Sequence, residues 1–256
     1  VAKKETIGRT FAVVGGLCLV CSIIVSGAAV SLKPTQQRNQ ALDVQTNIVS
    51  VAGLGRDNVA ETYDRFIDAR LLDLTTDKLT DKSAAGFNQR NAAKDPETSI
   101  QLSPDEDPAG IRRRANLAPV YLAKDENGEL DSIILPIHGQ GLWSTMYAFV
   151  AVAPDGNTIK GITYYEQGET PGLGGEVENP NWRAQFVGKK LFDENGKPAL
   201  RVVKGGAPQG APSSVDGLSG ATLTSDGVQK TFEFWFGEQG YGPFLAKVRE
   251  GELNNG

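Results

Sequence analysis

Met146-Tyr-Ala-Phe-Val-Ala-Val152, Pro154-Asp-Gly-Asn157 and Ile159-Lys-Gly-Ile-Thr-Tyr-Tyr165 follow one another in the chain. Two runs rich in β-branched and aromatic residues flank a cluster of turn formers, which predicts a β-hairpin closed by a tight turn. The pattern repeats just upstream, where Val120-Tyr-Leu-Ala123 and Ser132-Ile-Ile-Leu-Pro-Ile137 flank Asp125-Glu-Asn-Gly-Glu129. Downstream, Ala199 to Lys204 reads as a further strand, Thr222 to about Phe236 as a helix, and Phe244 to Glu250 as a short one. Consecutive hairpins joined by short loops specify an antiparallel α+β domain with flanking helices, expected over residues 116–256.

Residues 33–115 read as helical and loop-rich. A helix is expected from Gln36 to Ala52, with Ala41, Leu42, Ile48, Val49 and Ala52 on one side and Gly53 as its stop. A second is expected from Val59 to about Leu72, with Asn58 as cap, Glu61 at the capping-box position, and Tyr63, Phe66, Ile67 and Leu71 at helical spacing. Thr75 to Pro108 is polar and reads as a surface excursion, and Arg112-Arg113-Arg114 as a solvated or phosphate-facing patch.

Phe11 to Leu32 contains no Asp, Glu, Lys, Arg, Asn, Gln or His. Its 22 residues reach roughly 33 Å as a helix, enough for a hydrocarbon core of about 30 Å. Ser26-Gly27-Ala28-Ala29 resembles a small-residue cleavage site, yet the segment is expected to be retained as an anchor. Lys3, Lys4 and Arg9 precede it, against Glu5 alone, so the positive-inside rule puts residues 1–10 in the cytoplasm and the large domain outside. Cys18 and Cys21 lie within the apolar segment and read as small apolar side chains, because a helix supplies at most two ligands there and nothing nearby completes a cluster.

The composition is that of a globular domain, 39% hydrophobic and 22% charged. A net charge of −5 argues against nucleic acid. One histidine and two cysteines are too few for the usual zinc or iron–sulfur sites, so no metal is expected and any redox chemistry must come from another cofactor.

Three glycine-rich loops sit at strand ends: His138-Gly-Gln-Gly-Leu-Trp143, Gly168-Glu-Thr-Pro-Gly-Leu-Gly-Gly-Glu176, and Lys204 to Gly210 running on to Asp216-Gly-Leu-Ser-Gly-Ala-Thr222. Glycine lets backbone N–H groups approach a ligand, and a loop feeding a helix N-terminus favours a phosphate. Ser219 or Thr222 would be a natural cap for the helix that follows. Each loop taken alone is also an ordinary hairpin connection.

Asp216-x-x-Ser219-Gly220-Ala221-Thr222 resembles the flavinylation motif of FMN-binding domains, in which a dedicated transferase joins FMN through its phosphate to the final threonine. The N-terminal anchor, Leu135 to Trp143, Gly168 to Pro180, and Gly242-Pro-Phe-Leu-Ala-Lys247 together resemble the C subunits of the Na⁺-translocating NADH:quinone oxidoreductases, a family related to the G subunit of the Rnf complex. The resemblance implies an electron-transfer subunit in a bacterial inner membrane. It would be single-pass, with periplasmic bulk, partnered by integral-membrane and flavin or iron–sulfur subunits, and not catalytic with NADH on its own. An Rnf-type subunit or a stand-alone anchored flavoprotein are the alternatives.

It further implies that Thr222 carries FMN covalently, within a site made of Asp216, Ser219, Gly220, Ala221, Leu223 and Thr224. Thr224 would bond the phosphate or support the helix start. Asp216 would be read by the transferase, shape the loop as an Asx-turn, or both. The loop with Glu169, Thr170, Gly172, Leu173 and Gly174 is expected against the isoalloxazine ring. Trp143 would pack on the ring or in the core, and Lys204 would offset phosphate charge or end a solvated strand. Threonine is a weak nucleophile with no activating base beside it in sequence, which suits attachment by a separate enzyme.

Overall fold

A computed structural model describes residues 7–55 and 57–252; Lys3, Lys4 and Glu5 lie outside that range. The chain divides into two compact units, Val1–Val44 and Gln45–Gly256.

Helix α1 (Ile7–Val51) runs for 45 residues and carries an 18-residue window of mean hydropathy 2.4, long and apolar enough to cross a membrane. The two helices expected at Phe11–Leu32 and Gln36–Ala52 are therefore one, with Pro34 inside it. Proline removes one N–H from the ladder, but Gln36, Gln37, Arg38, Gln40, Ala41 and Leu42 carry the helix onward. It stops where expected. Gly53 adopts φ +74°, and the N–H groups of Gly53 and Leu54 donate to the carbonyls of Ser50 and Val49 at 3.1 and 3.0 Å.

The second unit is built on a six-stranded sheet. In chain order its elements are α2 (Val59–Phe66), β1 (Ile67–Asp73), β2 (Lys78–Ser83), α3 (Gln89–Lys94), β3 (Ser99–Gln101), β4 (Arg113–Ala115), β5 (Leu117–Lys124), β6 (Leu130–Gln140), β7 (Thr145–Val152), β8 (Ile159–Glu166), α4 (Pro180–Ala184), β9 (Arg201–Val203), β10 (Ser214–Asp216), α5 (Thr222–Trp235) and α6 (Gly242–Arg249). The sheet order is β2-β1-β5-β6-β7-β8, antiparallel throughout. Both expected hairpins are present. The β7–β8 turn has Gly156 at φ +65°, and Asp155 Oδ1 accepts from the N–H groups of Asn157 and Thr158.

Elsewhere the structure departs from the sequence pattern. The helix expected to reach Leu72 stops at Phe66, and Ile67–Asp73 pairs along its whole length with Leu117–Ala123. Burial of Ile67, Leu71 and Leu72 in the sheet outweighs their helical spacing. Asn58 sits at φ 53° and makes no side-chain cap; its amide bonds Glu61 instead. The surface excursion expected over 75–108 contains β2, α3 and β3. Arg114 is buried, with Nη1 donating to the Gln239 carbonyl, so the arginine triplet is only partly solvated. The strand at Ala199–Lys204 shrinks to β9, which pairs in parallel with β10 outside the main sheet.

Helix α5 is the centre of the core. Its Val228, Phe232 and Trp235 join Ile133, Leu135 and Ile137 of β6, Ala148 and Val150 of β7, and Ile162 of β8 in one buried cluster. Phe232 stacks between Phe186 and Phe236, and each fully buried ring contributes about 2–3 kcal/mol. Trp235 Nε1 donates to the His138 carbonyl at 2.7 Å, and Tyr241 Oη to the Pro136 carbonyl at 2.8 Å, so buried polar tips meet strand backbone. Glycine allows this contact: a Cβ at Gly227 would lie 2.5 Å from the Gln140 carbonyl, and one at Gly139 would lie 2.0 Å from Thr231 Oγ1.

Gly227→Ala gains about 1 kcal/mol of helix propensity but forces α5 off β6, for a net loss of about 1–3 kcal/mol by denaturant unfolding. Burial lowers the pKa of His138 to about 4, and the charge of Arg90 adds to the effect. The ring packs neutral between Tyr147 and Trp235. That stability is complete above the unfolded value of about 6.5 and is lost as pH falls from there through about 4. Denaturant midpoints across that window should drop, and His138→Gln should flatten the slope.

Candidate functional site

The three glycine loops meet at the start of α5. The first closes the β6–β7 hairpin in a turn where Gly141 N–H donates to the Ser144 carbonyl at 2.8 Å. The second follows β8, is turned by Gly172 at φ +77°, and has Leu173 and Gly175 N–H both donating to the Thr170 carbonyl. The third runs from β10 into α5 and turns at Gly220, φ +72°. There Leu173 lies close over the backbone: a Cβ on Gly220 would be 3.1 Å from its Cδ2.

Glu169 joins the loops. It is 5% exposed, and its Oε1 accepts from the N–H groups of Trp143 and Ser144 at 2.9 and 3.1 Å. Its Oε2 accepts from Leu142 N–H at 3.2 Å and from Thr224 Oγ1 at 2.6 Å. Burial opposes its charge, but the bonds from Thr224 and from the N–H groups of Trp143, Leu142 and Ser144 prevail and hold its pKa below the ordinary carboxylate value. Gly168 N–H also donates to Ser144 Oγ at 2.6 Å. Arg90 of α3 braces the loop's entry by pairing with Glu166 at 2.7 Å and stacking 3.5 Å over the Tyr147 ring.

The motif itself is held from behind. Asp216 Oδ1 accepts from Ala207 N–H at 2.6 Å, its N–H donates to Gln185 Oε1, and its carbonyl accepts from Trp182 Nε1 at 2.7 Å. The side chain thus ties down the 204–210 loop, where an Asx-turn within the motif was one expectation. Ser225 Oγ accepts from Leu218 N–H and donates to the Ala221 carbonyl. Neither Ser219 nor Thr222 caps the helix: Ala221 occupies the cap position and no side chain bonds it. Thr222 is the first residue of α5 and exposed, as are Ser219 and Gly220, whereas Thr224 and Ser225 are buried.

These loops and the first turn of α5 carry exposed apolar side chains: Trp143 is 70% exposed, Leu223 59%, and Leu142 and Leu173 44% each. A core role for Trp143 is excluded. Thr170 and Gly172 are exposed in the same loop, and Gly174 is buried against Thr224 and Glu169. Lys204 is exposed just beyond Val203, whose carbonyl accepts from Gly217 N–H at 2.8 Å. Sequence reasoning missed Leu142, Ser144, Gln185, Ser225 and Arg90. Only Leu142, an apolar residue beside Trp143 at a hairpin tip, carried a signal.

This arrangement fits a flavin mononucleotide. The first N–H groups of a 14-residue helix lack intrahelical partners and favour an anion. The exposed Leu and Trp side chains suit a planar ring. A separate cavity of about 680 Å³, lined by Asp68, Leu122, Phe244 and Lys247 among others, contains none of these loop residues.

Residues 141–236 match the family model described as "FMN-binding domain". Over 255 residues the chain is 61% identical to the Na(+)-translocating NADH-quinone reductase C subunit of Vibrio alginolyticus, covering 99% of each. It is 55% identical to the corresponding C subunit of Yersinia pestis, covering 99% of this chain and 97% of that one. The crystal structure of Shewanella oneidensis NqrC superposes with a TM-score of 0.78 at 39% identity, over 84% of this chain and 99% of that one. The structure of the Parabacteroides distasonis C subunit gives 0.66 at 29%, over 84% and 96%. With near-complete coverage at such identity, the chain belongs to the NqrC family, the C subunits of the Na⁺-translocating NADH-quinone reductases.

Proposed function

We propose that this chain is the FMN-carrying electron-transfer subunit of a Na⁺-translocating NADH:quinone oxidoreductase, its flavin joined through the phosphate to the Thr222 hydroxyl. The observation that carries the attachment point is the contrast among neighbouring hydroxyls. Thr224 is committed to Glu169 and Ser225 to the loop backbone; of the two exposed hydroxyls, Thr222 stands at the first position of α5 beside its free N–H groups, whereas Ser219 lies three residues before the helix. The flavin accepts and releases electrons, which these side chains do not do. The chain's part is to bind and hold. The α5 N–H groups favour the phosphate, Lys204 offsets its charge, and Leu142, Trp143, Leu173 and Leu223 cover the ring and keep water from it. Glu169 fixes the first two loops to α5. That carboxylate is occupied by four donors and is not free to activate Thr222, which supports attachment by a separate flavin transferase.

Family membership makes the chain one subunit of a larger complex, and α1 is suited to a single pass through the inner membrane. Residues 1–10 are assigned to the cytoplasm and the FMN-binding domain to the periplasm, with integral-membrane and flavin or iron–sulfur subunits as neighbours. A covalent tether prevents loss of the flavin on that side at any affinity.

Thr222→Ala should abolish flavin fluorescence on the denatured band while changing unfolding free energy by less than about 0.5 kcal/mol, because the side chain is exposed. Peptide mass mapping that puts the flavin on Thr224 or Ser225 would overturn the assignment. A reporter fused after Gly256 should be active only in its export-dependent form; activity of a cytoplasm-only reporter there would reverse the orientation.

A further inference from the structure

We propose that the Glu169 carboxylate is a fixed negative charge that lowers the reduction potential of the flavin, below the value the same loops would give without it. The proposal rests on the reading of Thr222 as the flavin's attachment point. Its basis is geometric. Glu169 is 5% exposed and accepts four hydrogen bonds, one from Thr224, two residues along the first turn of α5 from Thr222. The other three come from the backbone of Leu142, Trp143 and Ser144, the hairpin tip whose exposed side chains face solvent beside the motif.

Hydrogen bonds fix the carboxylate and keep it ionised, but they do not cancel its charge. None of the ion pairs among the described residues includes Glu169. Lys204, the cation of the third loop, is exposed and forms no ion pair with Glu169. Adding an electron to a ring held over these loops brings negative charge toward an unneutralised anion. In a poorly hydrated site that repulsion acts through an effective dielectric of about 20, not about 80. The first glycine loop and α5 thus converge on an anion of the second, where the one oxygen of a neutral Gln could still accept from Trp143 and Ser144. The purely structural alternative, a clamp with no effect on the flavin, makes a different prediction.

The test uses the full flavinylated chain in detergent, titrated with dithionite in the presence of mediators and followed by flavin absorbance. Glu169→Gln should raise the midpoint potential, so that at a fixed poise the reduced-to-oxidised ratio rises on the order of tenfold, as expected for a unit charge acting across several ångströms. Thr224→Val removes a donor but keeps the charge, and should not raise the potential even where it lowers the melting temperature. Glu169→Met, a neutral side chain of similar length, should raise the ratio likewise and serves if Glu169→Gln does not fold. Equal potentials for the wild type and the neutral variant that folds would overturn the proposal, as would a rise in Thr224→Val equal to that in Glu169→Gln. Mapping the flavin in the wild type separates the two readings. A flavin away from Thr222 defeats the attachment site, whereas a loaded Thr222 with unmoved potentials defeats only the charge.

Discussion

The N–H groups of Leu142, Trp143 and Ser144 point together at the tip of the β6–β7 hairpin and need an acceptor, and the Glu169 carboxylate supplies it. The same carboxylate reaches Thr224 in the first turn of α5, so a hairpin, a loop and a helix distant in sequence are fixed by one side chain. Gly141 and Gly174 allow this. A Cβ at either would fall within 3 Å of a Glu169 carboxylate oxygen. Leaving the buried Thr224 hydroxyl unsatisfied would cost about 1–3 kcal/mol, and the three part-buried amides would lose their bonds to a charged acceptor with it, which is why the loops depend on this contact.

Behind the clamp lies a core that cannot easily shift. Helix α5 sits directly on the backbone of β6 at Gly139 and Gly227, and Trp235 and Tyr241 bond the carbonyls of that same strand. The exposed apolar side chains of the three loops are thus mounted on rigid supports: the end of a sheet, and a helix locked against it. The regular elements determine where those loops begin.

Much of this was legible in the sequence. The β5–β8 meander followed from alternating apolar runs separated by Asp-Glu-Asn-Gly and Pro-Asp-Gly-Asn turns, and α5 from a glycine loop leading into a periodic stretch. The three glycine loops singled out in the sequence are brought together at the start of α5. What was not legible depended on contacts distant in sequence. Ile67–Asp73 has helical spacing and becomes a strand because β5 offers it seven partners. Arg90 and α3 lay in a stretch that read as a polar surface excursion, where nothing local signals that a cation will stack on Tyr147. Glu169 was legible as a residue of the second glycine loop, but the direction of its carboxylate, inward to three amides, is set by a hairpin 25 residues and more upstream.

Four hydroxyls lie between Ser219 and Ser225: those of Ser219, Thr222, Thr224 and Ser225. In an extended chain they differ little in acidity or bulk, and an enzyme modifying such a peptide would have to choose among them by sequence alone. Folding removes two of the candidates, because Thr224 donates its hydroxyl hydrogen bond to Glu169 and Ser225 is wedged between Leu218 and Ala221, which leaves Ser219 and Thr222 exposed. With the flavin on Thr222, the tertiary structure would itself act as a proofreading device. Accurate modification then belongs after the three loops have closed, and a domain that failed to close them would present more hydroxyls than it should.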